Sequence, residues 1–156
     1  MSRLKARVDR TLEAVLAALM AAMVLVVLWQ VATRYLLRDP SSVTEELARF
    51  GLIWLGLLAA SYGFGQKAHL AIDLLDPEHR KCWLDVIVAA TVVSFAVTVL
   101  VVGGLRLVEA ILALGQTSAA LRFERGYVYL ALPLSGLLVL FYTIEAAVTR
   151  LLHGSS

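Results

Sequence analysis

The sequence predicts an all-α membrane protein: four transmembrane helices, with an interfacial amphipathic segment between helices 2 and 3. Three observations carry that prediction. The 156-residue chain is 60% apolar and only 17% charged, whereas soluble domains run near one half and one quarter. Its mean hydropathy is +0.82. Its charges are also segregated: Ala14–Thr33, Phe50–Gln66, Val86–Leu105 and Gly126–Ile144 contain no Asp, Glu, Lys or Arg. Each run is about what a helix needs to cross roughly 30 Å of hydrocarbon. Charge at the bilayer centre is costly, so such runs imply lipid. A soluble fold would need four fully buried helices with no layer to cover them.

Residues 1–156 therefore read as one transmembrane domain, with spans at about 12–37, 46–66, 83–105 and 127–148. Backbone groups in lipid must be satisfied internally, which makes the spans helices. The basic residues Arg3, Lys5, Arg7 and Arg10 precede span one and resemble the start of a secretory signal. The apolar run is too long for one and three spans follow, so the segment reads as a retained anchor.

The first loop contains Pro40, which stops a helix because it lacks an N–H and disfavours helix in the residue before it. Thr44 is a good N-cap, and Glu45 and Glu46 suit the positive end of span two. Span two is then followed by Lys67–Pro77, whose mixed apolar and charged residues fit a segment lying on the membrane surface. Span three stays helical in pattern through Arg106 and Glu109 as far as Gly115, a plausible C′ glycine. From Trp83 that is roughly 50 Å at 1.5 Å per residue, so the helix must tilt or project. Pro133 lies inside span four and marks a kink at most.

Orientation follows from basic residues near the spans. The side holding both termini carries Arg3, Lys5, Arg7, Arg10, Lys67, Arg80, Lys81 and Arg150, eight in all. The other carries Arg34, Arg38, Arg49, Arg106, Arg122 and Arg125, six in all. The cluster before span one tips the balance, because the first helix usually dominates. Both termini are expected in the cytoplasm, with Arg38–Glu46 and Arg106–Arg125 facing outward.

The residues argue against several chemistries. The single cysteine, Cys82, excludes an intramolecular disulfide and a cysteine-cluster metal site. His69, His79 and His153 all fall outside the charge-free runs, where a haem bundle would need its ligands. His69 and Asp73 are four apart, but two ligands do not make a metal site. No nucleophile–base pair or phosphate loop is present, and a net charge of +2 does not suggest nucleic acid. No catalytic residue, cofactor or metal site is expected, and the chain does not read as an enzyme. Coupled carriers generally keep ionisable groups within the membrane. Here Glu13, Arg34, Arg49, Asp85, Arg106, Arg125 and Glu145 flank the spans and none is central. A helical bundle without a site most plausibly supports another protein.

An ordered set of residues then points to a family. Span one ends Trp29-Gln30-Val31-Ala32-Thr33-Arg34-Tyr35; Pro40, Thr44-Glu45-Glu46-Leu47-Ala48-Arg49 and Trp54-Leu55-Gly56 follow. His69, Ile72 and Asp73 come next, then Gly115-Gln116-Thr117-Ser118 and Tyr127-Val128-Tyr129-Leu130-Ala131-Leu132-Pro133. This series resembles the small membrane (Q) subunit of tripartite ATP-independent periplasmic, or TRAP, transporters, from about Leu12 to Thr149. Phe123-Glu124-Arg125-Gly126 departs from it, since the family often has a proline and a tryptophan before span four.

The resemblance implies two protein partners besides membrane lipid: a large membrane subunit and a periplasmic substrate-binding protein. It implies a bacterial or archaeal inner membrane, and sodium-coupled uptake of an organic anion such as a carboxylate or sugar acid. The small subunit would scaffold the large one. On the outward side, Glu45, Glu46 and Arg49 start span two, and Arg122, Glu124 and Arg125 precede span four. These six form a possible docking surface for the binding protein; helix capping and anchoring are the competing reading. Two other functions stay open: a stand-alone homo-oligomeric four-helix carrier, and a membrane assembly protein unrelated to transport.

Overall fold

The computed structural model describes residues 3–38, 41–73 and 82–153. Helix α1 spans Arg3–Ala32 and passes into a π-helical turn over Thr33–Leu37. Helix α2 spans Ser42–Asp73. Helix α3, Cys82–Phe95, runs through a π-helical stretch, Ala96–Gly103, into α4, Gly104–Ala113. A short α5, Gly126–Tyr129, leads into α6, Ala131–His153. Four helical spans, Arg3–Leu36, Ser42–Gln66, Ile87–Ala113 and Gly126–Val148, are long and apolar enough to cross a membrane.

The spans stand in a row. Span one packs on span two, span two on span four, and span four on span three. Span four is flanked on both sides, and 39% of its apolar window is buried, against 6–17% for the other three. Most of the apolar surface therefore faces outward, toward lipid or toward other chains.

A covered seam runs along α1 into the π-helical turn at alternating spacings of four and three, Lys5, Asp9, Leu12, Leu16, Leu19, Met23, Val26, Gln30 and Thr33, with Val8 and Ala32 beside it. A 3.5-residue repeat keeps one seam against a neighbour along the whole length, as in a left-handed coiled coil. Ala14, Ala18 and Ala22 lie off this seam and are exposed, as are Gly56 and Ala60 on α2. These two small-residue stripes are not used for packing within the chain.

Hydrophobic burial does little between helices in lipid; close packing and interhelical hydrogen bonds hold them. Spans three and four meet at glycines. A Cβ at Gly136 would lie 2.8 Å from the Leu100 Cβ, and one at Gly104 would lie 2.9 Å from the Leu132 Cβ. Between spans two and four, the buried Ser61 hydroxyl donates to the Ser135 carbonyl at 3.1 Å.

Element ends differ from the sequence reading in three places. Helix α1 begins at Arg3 rather than near residue 12, because its early charged residues find partners on α2 and α6. Span two begins at Ser42, and Thr44 is not its cap. The Ser41 carbonyl accepts from the Glu45 N–H at 3.3 Å and from the Thr44 hydroxyl at 2.9 Å, so Thr44 sits inside the first turn as a donor. Pro133 does more than kink span four. It has no N–H to offer the Tyr129 carbonyl, and the helix breaks at Leu130 between α5 and α6.

Gly115 ends span three as its position suggests. At φ +58° its N–H bonds the Leu112 carbonyl and the Gln116 N–H bonds the Ile111 carbonyl, which is the Schellman pattern. In the segment expected on the membrane surface, residues 67–73 continue α2 as helix. Residues 74–81, and the side chains of His69 and Asp73, lie outside the described part of the structure.

Candidate docking site at the hairpin end

Residues 114–125 join span three to span four and form a small hairpin. Thr117 and Glu124 pair as an antiparallel bridge. The Ser118 N–H donates to the Phe123 carbonyl at 2.8 Å, and the Arg125 N–H to the Gln116 carbonyl at 3.0 Å. Gln116, a family-motif position, thus supplies a stem bond through its backbone. The hairpin lies over the start of α2, where Phe50 meets Phe123 edge to face at 5.5 Å.

Four of the six residues expected on a docking surface fall into two pairs. Glu45 and Arg49, one turn apart on α2, meet at 3.1 Å on the exposed side. Glu46 turns the other way. One of its carboxylate oxygens accepts from the N–H groups of Ala120 and Leu121 at 2.9 and 3.4 Å, and the other lies 3.8 Å from the Arg125 guanidinium. Its side chain is only 12% exposed, so Glu46 faces inward under the hairpin. Arg122 and Glu124 are exposed.

The other motif positions spread along the row. Trp29 is 59% exposed and Tyr35 71%. Arg34 and Tyr35 lie in the π-helical turn that ends span one, closed by Arg38 at φ 55°, whose N–H bonds the Thr33 carbonyl. Pro133 packs close to Gly104 of span three.

A second polar cluster at the opposite end escaped the sequence reading. Lys5, Asp9 and Glu13 lie one turn apart on α1. The Tyr142 hydroxyl donates to Asp9 at 2.6 Å, the Tyr62 hydroxyl donates to Glu13 at 2.6 Å, and Lys5 lies 3.7 Å from Glu145. Lys5 and Tyr142 are each 2% exposed. The fourfold spacing of Lys5, Asp9 and Glu13 was the signal that could have revealed it, since such residues share a helix face.

Between the ends the walls are apolar. A cleft of about 420 Å³ lies between α1 and α2 beneath the hairpin, lined by Leu19, Met23, Phe50, Gly51, Trp54 and Phe123 among others.

An apolar row of four spans, with its described ion pairs gathered at the two ends, defines a multi-pass integral membrane protein. Over residues 23–153 the chain matches the family of tripartite ATP-independent periplasmic transporters, DctQ component, and it belongs to that family. It is 30% identical, over 85% of its length and 77% of the relative's, to the sialic acid TRAP transporter small permease protein SiaQ of Vibrio cholerae. It is 31% identical to a putative TRAP transporter small permease protein of Haemophilus influenzae, over 44% of this chain and 42% of that one. The chain is thus a transporter component of the small permease type.

Proposed function

We propose that this chain scaffolds the large membrane subunit of its TRAP transporter and helps to dock the soluble substrate-binding protein. The row of spans is the observation that carries the reading. A single-file arrangement leaves two broad apolar faces, and a flat support needs such faces to hold a much larger partner in the bilayer. In this reading both termini are cytoplasmic and the hairpin is periplasmic, in a bacterial or archaeal inner membrane. The exposed Glu45–Arg49 pair, Arg122 and Glu124 then meet the binding protein, while Glu46 and Arg125 lie beneath them. The transported substrate is an organic anion, a carboxylate or sugar acid, taken up with sodium; the sialic acid in the Vibrio relative's name belongs to that class.

The test is reconstitution. A tagged copy of this chain, co-expressed with the large TRAP membrane subunit from the same organism, should co-purify with that subunit in mild detergent. In liposomes under a sodium gradient, the two subunits plus binding protein should take up substrate. Uptake by this chain alone, or a large subunit that purifies and transports fully without it, would overturn the scaffold reading.

A further inference from the structure

The hairpin owes its shape to a side chain from another helix. Bonds within residues 116–125 fix the stem, and the Arg122 N–H closes the turn onto the Ser118 carbonyl at 3.1 Å. The two N–H groups at the tip, on Ala120 and Leu121, converge instead on one oxygen of Glu46, some 74 residues earlier in the chain. The Leu121 N–H is shared with the Ser118 hydroxyl at 3.1 Å. A carboxylate accepting successive backbone N–H groups makes charge-assisted bonds, stronger than neutral ones. The other oxygen of Glu46 faces Arg125 at the hairpin's base, so one carboxylate ties tip and base to α2.

The turn that Glu46 holds carries an unusual residue. Arg122 has φ 54°, in the left-handed region where a Cβ is disfavoured. Such a conformation persists where its surroundings over-determine it. Glycine or asparagine would suit that backbone better, yet the position carries a cation. Of the hairpin's two arginines, Arg125 is engaged by Glu46. Arg122 is exposed, and among the described residues it forms no ion pair.

We infer that Glu46 is a positioning residue: it fixes the hairpin tip so that Arg122 is presented, already oriented, to an acidic group on the soluble binding protein. This rests on the docking reading above. Preorganising a contact strengthens binding by removing the ordering cost at the moment of encounter.

The experiment uses the two-subunit membrane complex in nanodiscs and the soluble binding protein as probe, with binding measured for Glu46→Ala, Glu46→Gln, Arg122→Ala and Glu46→Ala/Arg122→Ala. Hydrogen exchange at Ala120 and Leu121 reports the latch directly. Glu46→Ala should raise exchange at both amides and weaken binding roughly tenfold, the scale of one preorganised charged contact. Glu46→Gln, which keeps an acceptor oxygen, should fall between it and wild type. The double variant should bind no worse than Arg122→Ala alone, because both changes remove one contact. Additive losses, or faster exchange with unchanged affinity while Arg122→Ala still weakens binding, would overturn the positioning role. Unchanged affinity in Arg122→Ala would instead defeat the docking reading itself.

Discussion

Tyr142 donates a 2.6 Å hydrogen bond to Asp9, joining the last span to the first across 133 residues of sequence. The Tyr142 ring also lies where a Cβ on Gly65 would be, 2.6 Å from its nearest atoms, so one side chain ties α1, α2 and α6 together. Span one rests chiefly on span two, and this bond and the nearby Lys5–Glu145 pair tie it to span four as well.

Removing the Tyr142 hydroxyl should therefore loosen span one. Tyr142→Phe leaves a buried carboxylate without its donor, at about 1–3 kcal/mol. Its thermal unfolding midpoint in detergent should fall by several degrees. Tyr142→Phe with Asp9→Leu should recover part of the loss, since no polar group is then left unmatched. A double variant less stable than either single one would show that the pair is not the source of the effect.

Glycines should sort by what faces them. Valine at Gly136 meets Leu100 and Val101 within 3 Å, an overpacking worth about 1–3 kcal/mol. Gly136→Val should lower the unfolding midpoint of the purified chain. Gly56 has nothing within 4 Å, so Gly56→Val should leave that midpoint unchanged. Equal effects at the two sites would contradict the packing of span three on span four.

Orientation is open to direct measurement. A reporter fused after Ser156 should behave as cytoplasmic, following the basic residues before span one. An active periplasmic phosphatase at that point would place the hairpin inside the cell.

Charge reversal separates docking from anchoring. Arg122→Glu should leave assembly of the membrane complex intact and reduce uptake when binding protein is limiting, with a smaller deficit as it is raised. Like-charge contact across an interface can cost several kcal/mol. Arg125→Glu should act differently, because it sets a second carboxylate against Glu46 and disturbs the hairpin itself. Wild-type uptake for Arg122→Glu at every binding-protein concentration and salt would favour the anchoring role.

Four spans could be read from composition because lipid imposes a one-dimensional rule: charge-free length. Gly115 could be read too, because a left-handed helix end favours glycine. The order of packing could not. Nothing in the alternating pattern of α1 says that its seam faces span two, or that the small residues Ala14, Ala18 and Ala22 of α1 and Gly56 and Ala60 of α2 turn outward. The site was legible in part. Glu45 and Arg49 pair at the helical spacing that sequence shows, whereas Glu46 bonds to backbone amides far along the chain, and backbone amides carry no sequence signature. Thr44 was misplaced because a hydroxyl both donates and accepts, and the spacing alone does not say which.

The order of the row also bears on biosynthesis. Spans one and two are neighbours in sequence and in space, so their pairing can form as soon as the second leaves the ribosome. Span three has no such partner behind it, since span two gives its other side to span four. At about 5–20 residues per second, span three waits some seconds for residues 114–148 to emerge. During that interval its packing face at Gly104 is open to any passing helix. Newly made chains are thus most exposed to mispairing, and to membrane quality-control proteases, after span three has inserted and before span four has arrived.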